Sequence, residues 1–179
     1  MMRKIVFLII FLSTILLVAC SKEDNNTLPI TMPNDFAISY SYGIDKSQLN
    51  IIDTYKGTIQ KDLVLNGIAD IDYLISENDL EKLYLSIRQC KIHEITLNMT
   101  SKNLTTTNGF MATLPCVYYN INFIINGTEY NVVGDNSVFG YNATNKQAEN
   151  FCTFVTYITG YLVSTQEYKS LPETNGGYD

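Results

Sequence analysis

The stretch from Val117 to Val133 constrains the fold most strongly, because apolar and polar residues alternate on both sides of Asn126-Gly127. Alternation with a period of two is typical of a β-strand with one buried face, and Asn-Gly favours the positive φ angles of a two-residue hairpin turn. Such a turn pairs Ile125 with Thr128, Phe123 with Tyr130 and Ile121 with Val132. The stretch therefore predicts an antiparallel hairpin whose apolar residues share one face.

Similar patterns predict strands over residues 36–42, 51–62, 68–74 and 92–100, with a further two-residue turn at Asn66-Gly67. A helix is predicted after Ser76, an N-cap residue followed by acidic residues in the first turn. A second helix is predicted after Thr144, which forms a capping-box pattern with Gln147. The sequence thus predicts an α+β domain over residues 36–172, in which a mostly antiparallel sheet of about six strands carries two helices packed on one face. The strand order stays open.

The N-terminus has the features of an export signal. Arg3 and Lys4 precede an apolar run over residues 5–19, which falls short of the roughly 18 to 20 residues that span a bilayer as a helix. The run ends in Leu17-Val18-Ala19-Cys20, which resembles the lipobox of bacterial lipoproteins. A retained transmembrane anchor is the alternative.

The lipoprotein resemblance implies that residues 1–19 are a signal peptide and that Cys20 is lipidated. Residues 20–35 are then expected to be a flexible tether, because they are polar and contain two prolines. Ser21 follows the cysteine in place of the aspartate of inner-membrane retention signals, so the resemblance implies the outer membrane of a two-membrane cell. Ser21-Lys22-Glu23-Asp24 also resembles the short acidic export tags of surface lipoproteins.

The charge balance argues against nucleic acid as a partner. The chain has a formal charge of −6, and loss of Arg3 and Lys4 with the signal peptide gives −6 − 2 = −8. An acidic surface repels phosphate backbones and anionic headgroups. The partners expected from the sequence are membrane lipid, through Cys20, and an extracytoplasmic protein or ligand.

Residues with potential catalytic or metal-binding chemistry are few. Cys90 and the chain's one histidine, His93, could form a zinc site with Cys116 and Cys152, or Cys90 and His93 could form a nucleophile pair. The pattern lacks a second short Cys spacing and an orienting third partner, so we expect a surface histidine, no metal, no cofactor and no catalysis. The three cysteines left after lipidation allow one disulfide and a free thiol, or three buried thiols.

Other polar residues are weaker candidates. Asp70 and Asp72 alternate on a predicted strand, and we expect them to lie on a solvated face. An exposed loop is predicted over residues 101–109. Residues 173–179 are expected to form a flexible tail, although Leu171-Pro172-Glu173-Thr174-Asn175 resembles a sortase signal without its membrane segment. Four tyrosines near the hairpin are expected to pack rather than bind ligand: Tyr118, Tyr119, Tyr130 and Tyr141.

Several short motifs resemble a group of small extracytoplasmic bacterial lipoproteins of unknown function. They are Tyr42-Gly43, Asp53-Thr54-Tyr55, Lys61-Asp62 and the segment 76–84. The resemblance implies no activity and no site residues. The sequence therefore favours a membrane-anchored, non-enzymatic binding or shielding domain, with an envelope inhibitor or immunity-type protein and a Cys/His-dependent enzyme as alternatives.

Overall fold

A computed structural model describes residues 27–44, 47, 49–104, 114–141 and 144–178. The predicted signal peptide, the lipobox with Cys20 and most of the predicted loop over residues 101–109 lie outside these ranges. The described strands are β1 (Ala37–Ile44), β2 (Asn50–Asp53), β3 (Thr58–Asp62), β4 (Ile68–Asp72), β5 (Val117–Ile125) and β6 (Thr128–Asp135). The described helices are α1 (Glu77–Gln89), α2 (Ser101–Leu104), α3 (Lys146–Ser164) and α4 (Gln166–Ser170), with 3₁₀ turns at Ile92–Glu94 and Asn136–Tyr141.

The strands form one six-stranded sheet in the order β4-β3-β2-β1-β5-β6, and every neighbouring pair is antiparallel. The two long helices, α1 and α3, pack on one face of the sheet. Their buried residues, such as Ile87 and Phe154, belong to the same apolar core as Tyr40 and Ile52 of the sheet. The predicted α+β class and the helices on one face are confirmed.

The β5–β6 hairpin has the predicted register. Ile125 pairs with Thr128, and the ladder continues through Phe123–Tyr130 to Ile121–Val132. Asn126 and Gly127 have φ values of 50° and 74°, as a two-residue turn between twisted strands requires.

The helix starts were predicted with mixed success. Ser76 is the N-cap of α1, and its hydroxyl accepts a hydrogen bond from the Asp79 amide at 3.1 Å. At α3 the predicted capping box is wrong, because the N-cap is Asn145 and not Thr144. The Asn145 carboxamide oxygen accepts from the Gln147 and Ala148 amides at 2.9 and 3.1 Å, which satisfies two of the donors that a helix start leaves unpaired.

The prediction of one extended segment over residues 51–62 is wrong, because a turn separates β2 from β3. The Asp53 carboxylate accepts hydrogen bonds from the Tyr55 and Lys56 amides at 3.0 and 3.1 Å. Gly57 then adopts a φ of 68°, which few other residues reach without strain. Local hydrogen bonding to an aspartate thus overrides the extended pattern.

The predicted strand over residues 92–100 is also wrong. After α1, Lys91 takes a left-handed conformation and a 3₁₀ turn follows. Met99 is the one residue of this segment that pairs with the sheet. Its amide donates to the Val133 carbonyl at 2.8 Å, and its carbonyl accepts from the Asp135 amide at 3.0 Å. Ile92, Ile95 and Met99 are all buried, so the spacing of these apolar residues reflects their burial in the core and does not indicate a strand.

Both ends of the described chain contact the domain. Leu28 is buried, the Tyr84 hydroxyl donates to the Pro29 carbonyl at 2.5 Å, and Arg88 Nε donates to the Leu28 carbonyl at 3.2 Å. The predicted boundary at residue 36 therefore lies within the packed structure. At the other end, Asn175 exchanges backbone hydrogen bonds with the β3–β4 turn, so residues of the predicted tail also contact the domain.

Candidate binding surface

The face of the sheet opposite α1 and α3 carries two parallel rows of mostly polar side chains, which we call the open face. In each row the residues lie directly opposite one another on neighbouring strands, from β4 to β6. The first row is Asp72, Thr58, Asp53, Ser39, Asn122 and Asn131. The second row is Asp70, Gln60, Ile51, Ser41, Asn120 and Val133.

The row between these two points the other way and is apolar. It consists of Ile71, Ile59, Ile52, Tyr40, Ile121 and Val132. All are buried except Ile71 on the outermost strand, which is half-buried. Burying one large apolar side chain contributes about 1.5–3 kcal/mol, and a shift of one residue in a strand would exchange the two faces. The core therefore determines which side chains the open face presents.

Three asparagines form a hydrogen-bonded group on β5 and β6. Asn131 Nδ2 donates to the Oδ1 atoms of Asn120 and Asn122 at 2.8 and 2.6 Å. Each carboxamide has both a donor and an acceptor group, and these bonds orient the three amides relative to one another. The group presents planar polar side chains in defined orientations at this end of the open face.

The carboxylates of the open face differ in their surroundings. Asp53 is 7 % exposed, accepts the two turn amides described above and lies 3.6 Å from Lys56 Nζ. Asp70 and Asp72 are exposed on β4, and Glu129 is exposed on β6. The Asp53 carboxylate thus bonds to groups of its own turn, whereas the other three carboxylates give the surface a negative charge.

Between the rows lies a shallow groove with a volume of about 300 Å³. Most of its lining side chains are hydroxyls, carboxamides and carboxylates, and Ile51 and Lys56 are the exceptions. The residues are Ser39, Ser41, Ile51, Asp53, Lys56, Thr58, Gln60, Asp70, Asn120 and Asn122. Such a lining can hydrogen-bond a polar partner.

The sequence indicated only part of this surface. Asp70 and Asp72 lie on the solvated face, as predicted. Ser39 and Ser41 belong to an alternating pattern that predicted a half-buried strand, but the pattern did not show which strands flank it. The asparagines of the hairpin were missed, and the period-two recurrence of Asn120 and Asn122 was the available signal.

The candidate catalytic residues lie elsewhere, on the helical side. His93 is not the surface residue that we expected, because its side chain is 5 % exposed and its ring lies edge-on to Tyr130, with the centroids 6.5 Å apart. It lines a cavity of about 200 Å³ with Pro29 and Ile125. No cysteine is among the described residues that line this cavity.

Burial affects two of the described thiols, those of Cys90 and Cys152. Cys90 and Cys152 are buried, and burial raises the pKa of Cys90 and raises that of Cys152 to about 11. A thiol with a raised pKa forms little of the reactive thiolate near neutral pH. Cys116, half-buried before β5, is also a free thiol. Within the described ranges no group of three His, Cys, Asp or Glu side chains is placed to hold a metal ion.

Most of the tyrosines near the hairpin pack against the core. Tyr119 lies edge-on to Phe151 with ring centroids 6.0 Å apart, and burial raises its pKa to about 12. Tyr130 stacks on Phe123 at 4.8 Å, and Tyr141 packs against the core as well. Packing is therefore confirmed for these tyrosines. Tyr118 is the neighbour of Tyr119 on β5, and it therefore lies on the side of the open face.

Comparison with known proteins identified no matching family model and no matching curated sequence. Among the helices that the structure describes, none combines the length and the apolar character needed to cross a bilayer.

Proposed function

We propose that the protein is a lipid-anchored, extracytoplasmic, non-enzymatic binding domain and that the open face is its binding surface. The observation that supports this proposal is the asymmetry of the sheet. One face is covered by α1 and α3, and the other presents two rows of mostly polar side chains that run across the six strands. Extended hydrogen-bonding surfaces of this kind suit recognition of a polar partner.

The anchor in this proposal is Cys20, modified by acyl chains in the outer membrane. Two or more chains are needed for stable attachment, and the lipobox resemblance implies such multiple acylation. Because Leu28 and Pro29 contact α1, few residues separate the packed domain from the lipid in this proposal. The eight residues from Cys20 to Thr27 span at most about 28 Å when fully extended.

The attachment point supports the choice of the open face. Leu28 and Pro29 contact Arg88 and Tyr84 of α1, so the connection to the lipid leaves from the helical side of the sheet. The opposite face then remains accessible to a partner. Binding is favoured over catalysis because His93, Cys90 and Cys152 lie on the helical side, with both of these thiols buried.

The binding surface is testable by photo-cross-linking in intact cells. A photo-reactive side chain at Ser41, in the centre of the open face, should form covalent adducts with a partner. The same group at Thr156, an exposed position of α3, is the matched control and should form few. Equal adducts at both positions would refute the assignment of the surface. Mass spectrometry of the Ser41 adduct would also separate an inhibitor of a secreted enzyme from another kind of binding domain.

The anchor is testable separately. Cys20→Ser should abolish acylation and signal removal, so that the unprocessed chain is larger and carries no acyl groups by mass spectrometry. Protease treatment of intact cells should digest the wild-type domain if it faces outward. A Cys20→Ser protein with unchanged processing and membrane association would refute lipid anchoring.

A further inference from the structure

Strand β4 ends the sheet, and its outer side has no neighbouring strand in the described part of the chain. The opposite edge differs, because Met99 forms two backbone hydrogen bonds with β6 beside Gly134. An open edge presents backbone N–H and C=O groups that can pair with another extended chain.

The register shows which backbone groups of β4 face outward. The Tyr73 amide donates to the Gly57 carbonyl at 2.7 Å, and the Leu63 amide donates to the Gly67 carbonyl at 2.8 Å. Hydrogen-bonded pairs alternate with non-bonded pairs in an antiparallel ladder. The backbone groups of Ile71 and Ala69 therefore bond to β3, whereas the backbone groups of the alternate residues of β4 point away from the sheet. The outward-facing residues, which we call the free edge, are Ile68, Asp70 and Asp72.

The side chains of the free edge are all exposed. They lie on the same side as the open face, whereas the alternate residues Ala69 and Ile71 are half-buried against the core. The free edge thus combines unpaired backbone groups with two carboxylates and one apolar side chain, Ile68.

We propose that β4 accepts an extended, positively charged segment of another protein as an additional antiparallel strand of the sheet. The proposal deepens the proposed function, because β4 is the outer strand of the open face. Backbone pairing would supply the general attraction, and Asp70 and Asp72 would select the partner by charge.

A second copy of this chain fits the free edge poorly. Antiparallel pairing of two β4 strands about a two-fold axis would place Asp70 and Asp72 of one copy next to the same carboxylates of the other. Like charges on residues that lie directly opposite one another on neighbouring strands are destabilising. The charge of the edge thus disfavours self-pairing and favours a basic strand.

The side-chain alternation of β4 specifies the partner's pattern. In an antiparallel partner, the residue opposite Asp70 lies two positions after the residue opposite Asp72. The residue opposite Ile68 lies two positions further towards the partner's C-terminus. The intervening side chains would point to the other face, beside Ile71. The expected segment is basic at alternate positions, apolar between them, and ends in an apolar residue opposite Ile68.

The probe for this inference is the peptide acetyl-Thr-Lys-Val-Lys-Val-Leu-Thr-amide, labelled with a fluorophore and titrated with the full lipidated chain in a non-ionic detergent. We expect saturable binding that weakens as ionic strength rises from about 0.05 M to about 0.5 M. Asp70→Asn and Asp72→Asn should each raise the Kd by about fivefold. Glu81→Gln, which removes one exposed negative charge on α1, is the matched control and should leave the Kd nearly unchanged.

Two peptide variants test the backbone pairing without altering the protein. Methylation of the peptide nitrogens that face β4 should abolish binding, and methylation of those on the opposite edge should not. Three results would each overturn the inference. The two methylation patterns could have equal effects, Glu81→Gln and Asp70→Asn could have equal effects, or the chain could form dimers that the peptide does not dissociate. If the peptide fails to bind while Ser41 still forms adducts, the inference fails and the proposed function stands.

Discussion

Gly134 of β6 allows the 95–99 segment to approach the sheet, and its replacement by alanine is our most specific stability prediction. A Cβ atom at this position would lie 2.6 Å from the Met99 carbonyl oxygen, 2.7 Å from Phe151 Cζ and 2.8 Å from Met99 Cβ. Carbon atoms pack best about 3.5–4.0 Å apart, so the neighbours must move by about 1 Å.

The required movement has an identifiable energetic cost. The Met99 oxygen accepts from the Asp135 amide at 3.0 Å, and the Met99 amide donates to Val133 at 2.8 Å. Displacing Met99 weakens both bonds, each worth about 1 kcal/mol, and the overpacking against Phe151 costs about 1–3 kcal/mol. We therefore expect Gly134→Ala to lower the free energy of unfolding by about 2–4 kcal/mol. For a domain of this size that corresponds to a fall in Tm of about 6–12 °C.

Gly160→Ala is the matched control, because the same methyl group is added where nothing beyond the adjacent backbone of its own helix lies within 4 Å. Gly160 lies inside α3, where alanine favours the helix by about 0.5–1 kcal/mol, so this variant should melt slightly higher than the wild type. Thermal unfolding followed by circular dichroism, with urea titration for the free energy, measures both variants. A Gly134→Ala protein that melts within about 2 °C of the wild type would refute the close contact between Met99 and β6.

Three further predictions concern other parts of the domain. Asp35 accepts hydrogen bonds from both amides of the β5–β6 turn, chiefly Gly127, and these bonds hold the pKa of its carboxyl below the usual 3.8. This contribution to stability is complete above that value and is lost as the pH falls below it. Asp35→Asn should therefore flatten the acid limb of a pH–stability curve, and an unchanged limb would contradict the bond. Burial raises the pKa of Cys152 to about 11, so thiol reagents at pH 8 should label it only on unfolding, as mass spectrometry can follow; rapid labelling of the native protein would contradict its burial. Tyr84→Phe removes the hydrogen bond to the Pro29 carbonyl and should cost about 1 kcal/mol in urea titrations, with faster proteolysis near residue 30. Proteolysis at the wild-type rate would show that this segment is not held by Tyr84.

Short-range patterns predicted the elements that depend on neighbouring residues. The β5–β6 hairpin and the Ser76 cap of α1 were predicted correctly, because a turn dipeptide and a capping hydroxyl act within a few residues. The predicted number of strands agrees with the structure for the wrong reason. Residues 51–62 form two strands in place of one, and residues 92–100 form none of the named strands.

The two strand errors have a common physical origin. Periodicity records which side chains are buried, and it does not record the element that buries them. Ile92, Ile95 and Met99 are buried by a 3₁₀ turn and a single bridge to β6. The turn between β2 and β3 depends on the Asp53 carboxylate, which competes locally with the extended backbone.

The sequence by itself determined the α+β class, the hairpin register and the acidic balance, since each depends on composition or on contacts between near neighbours. Only the tertiary structure decided that Ser39 lies between Asp53 and Asn122, because those pairings join residues far apart in the chain. It also decided that β4 is the outermost strand and that His93 and two of the thiols lie on the helical side. Long-range pairing is selected by burial of the whole apolar row at once, which no local stretch of sequence contains.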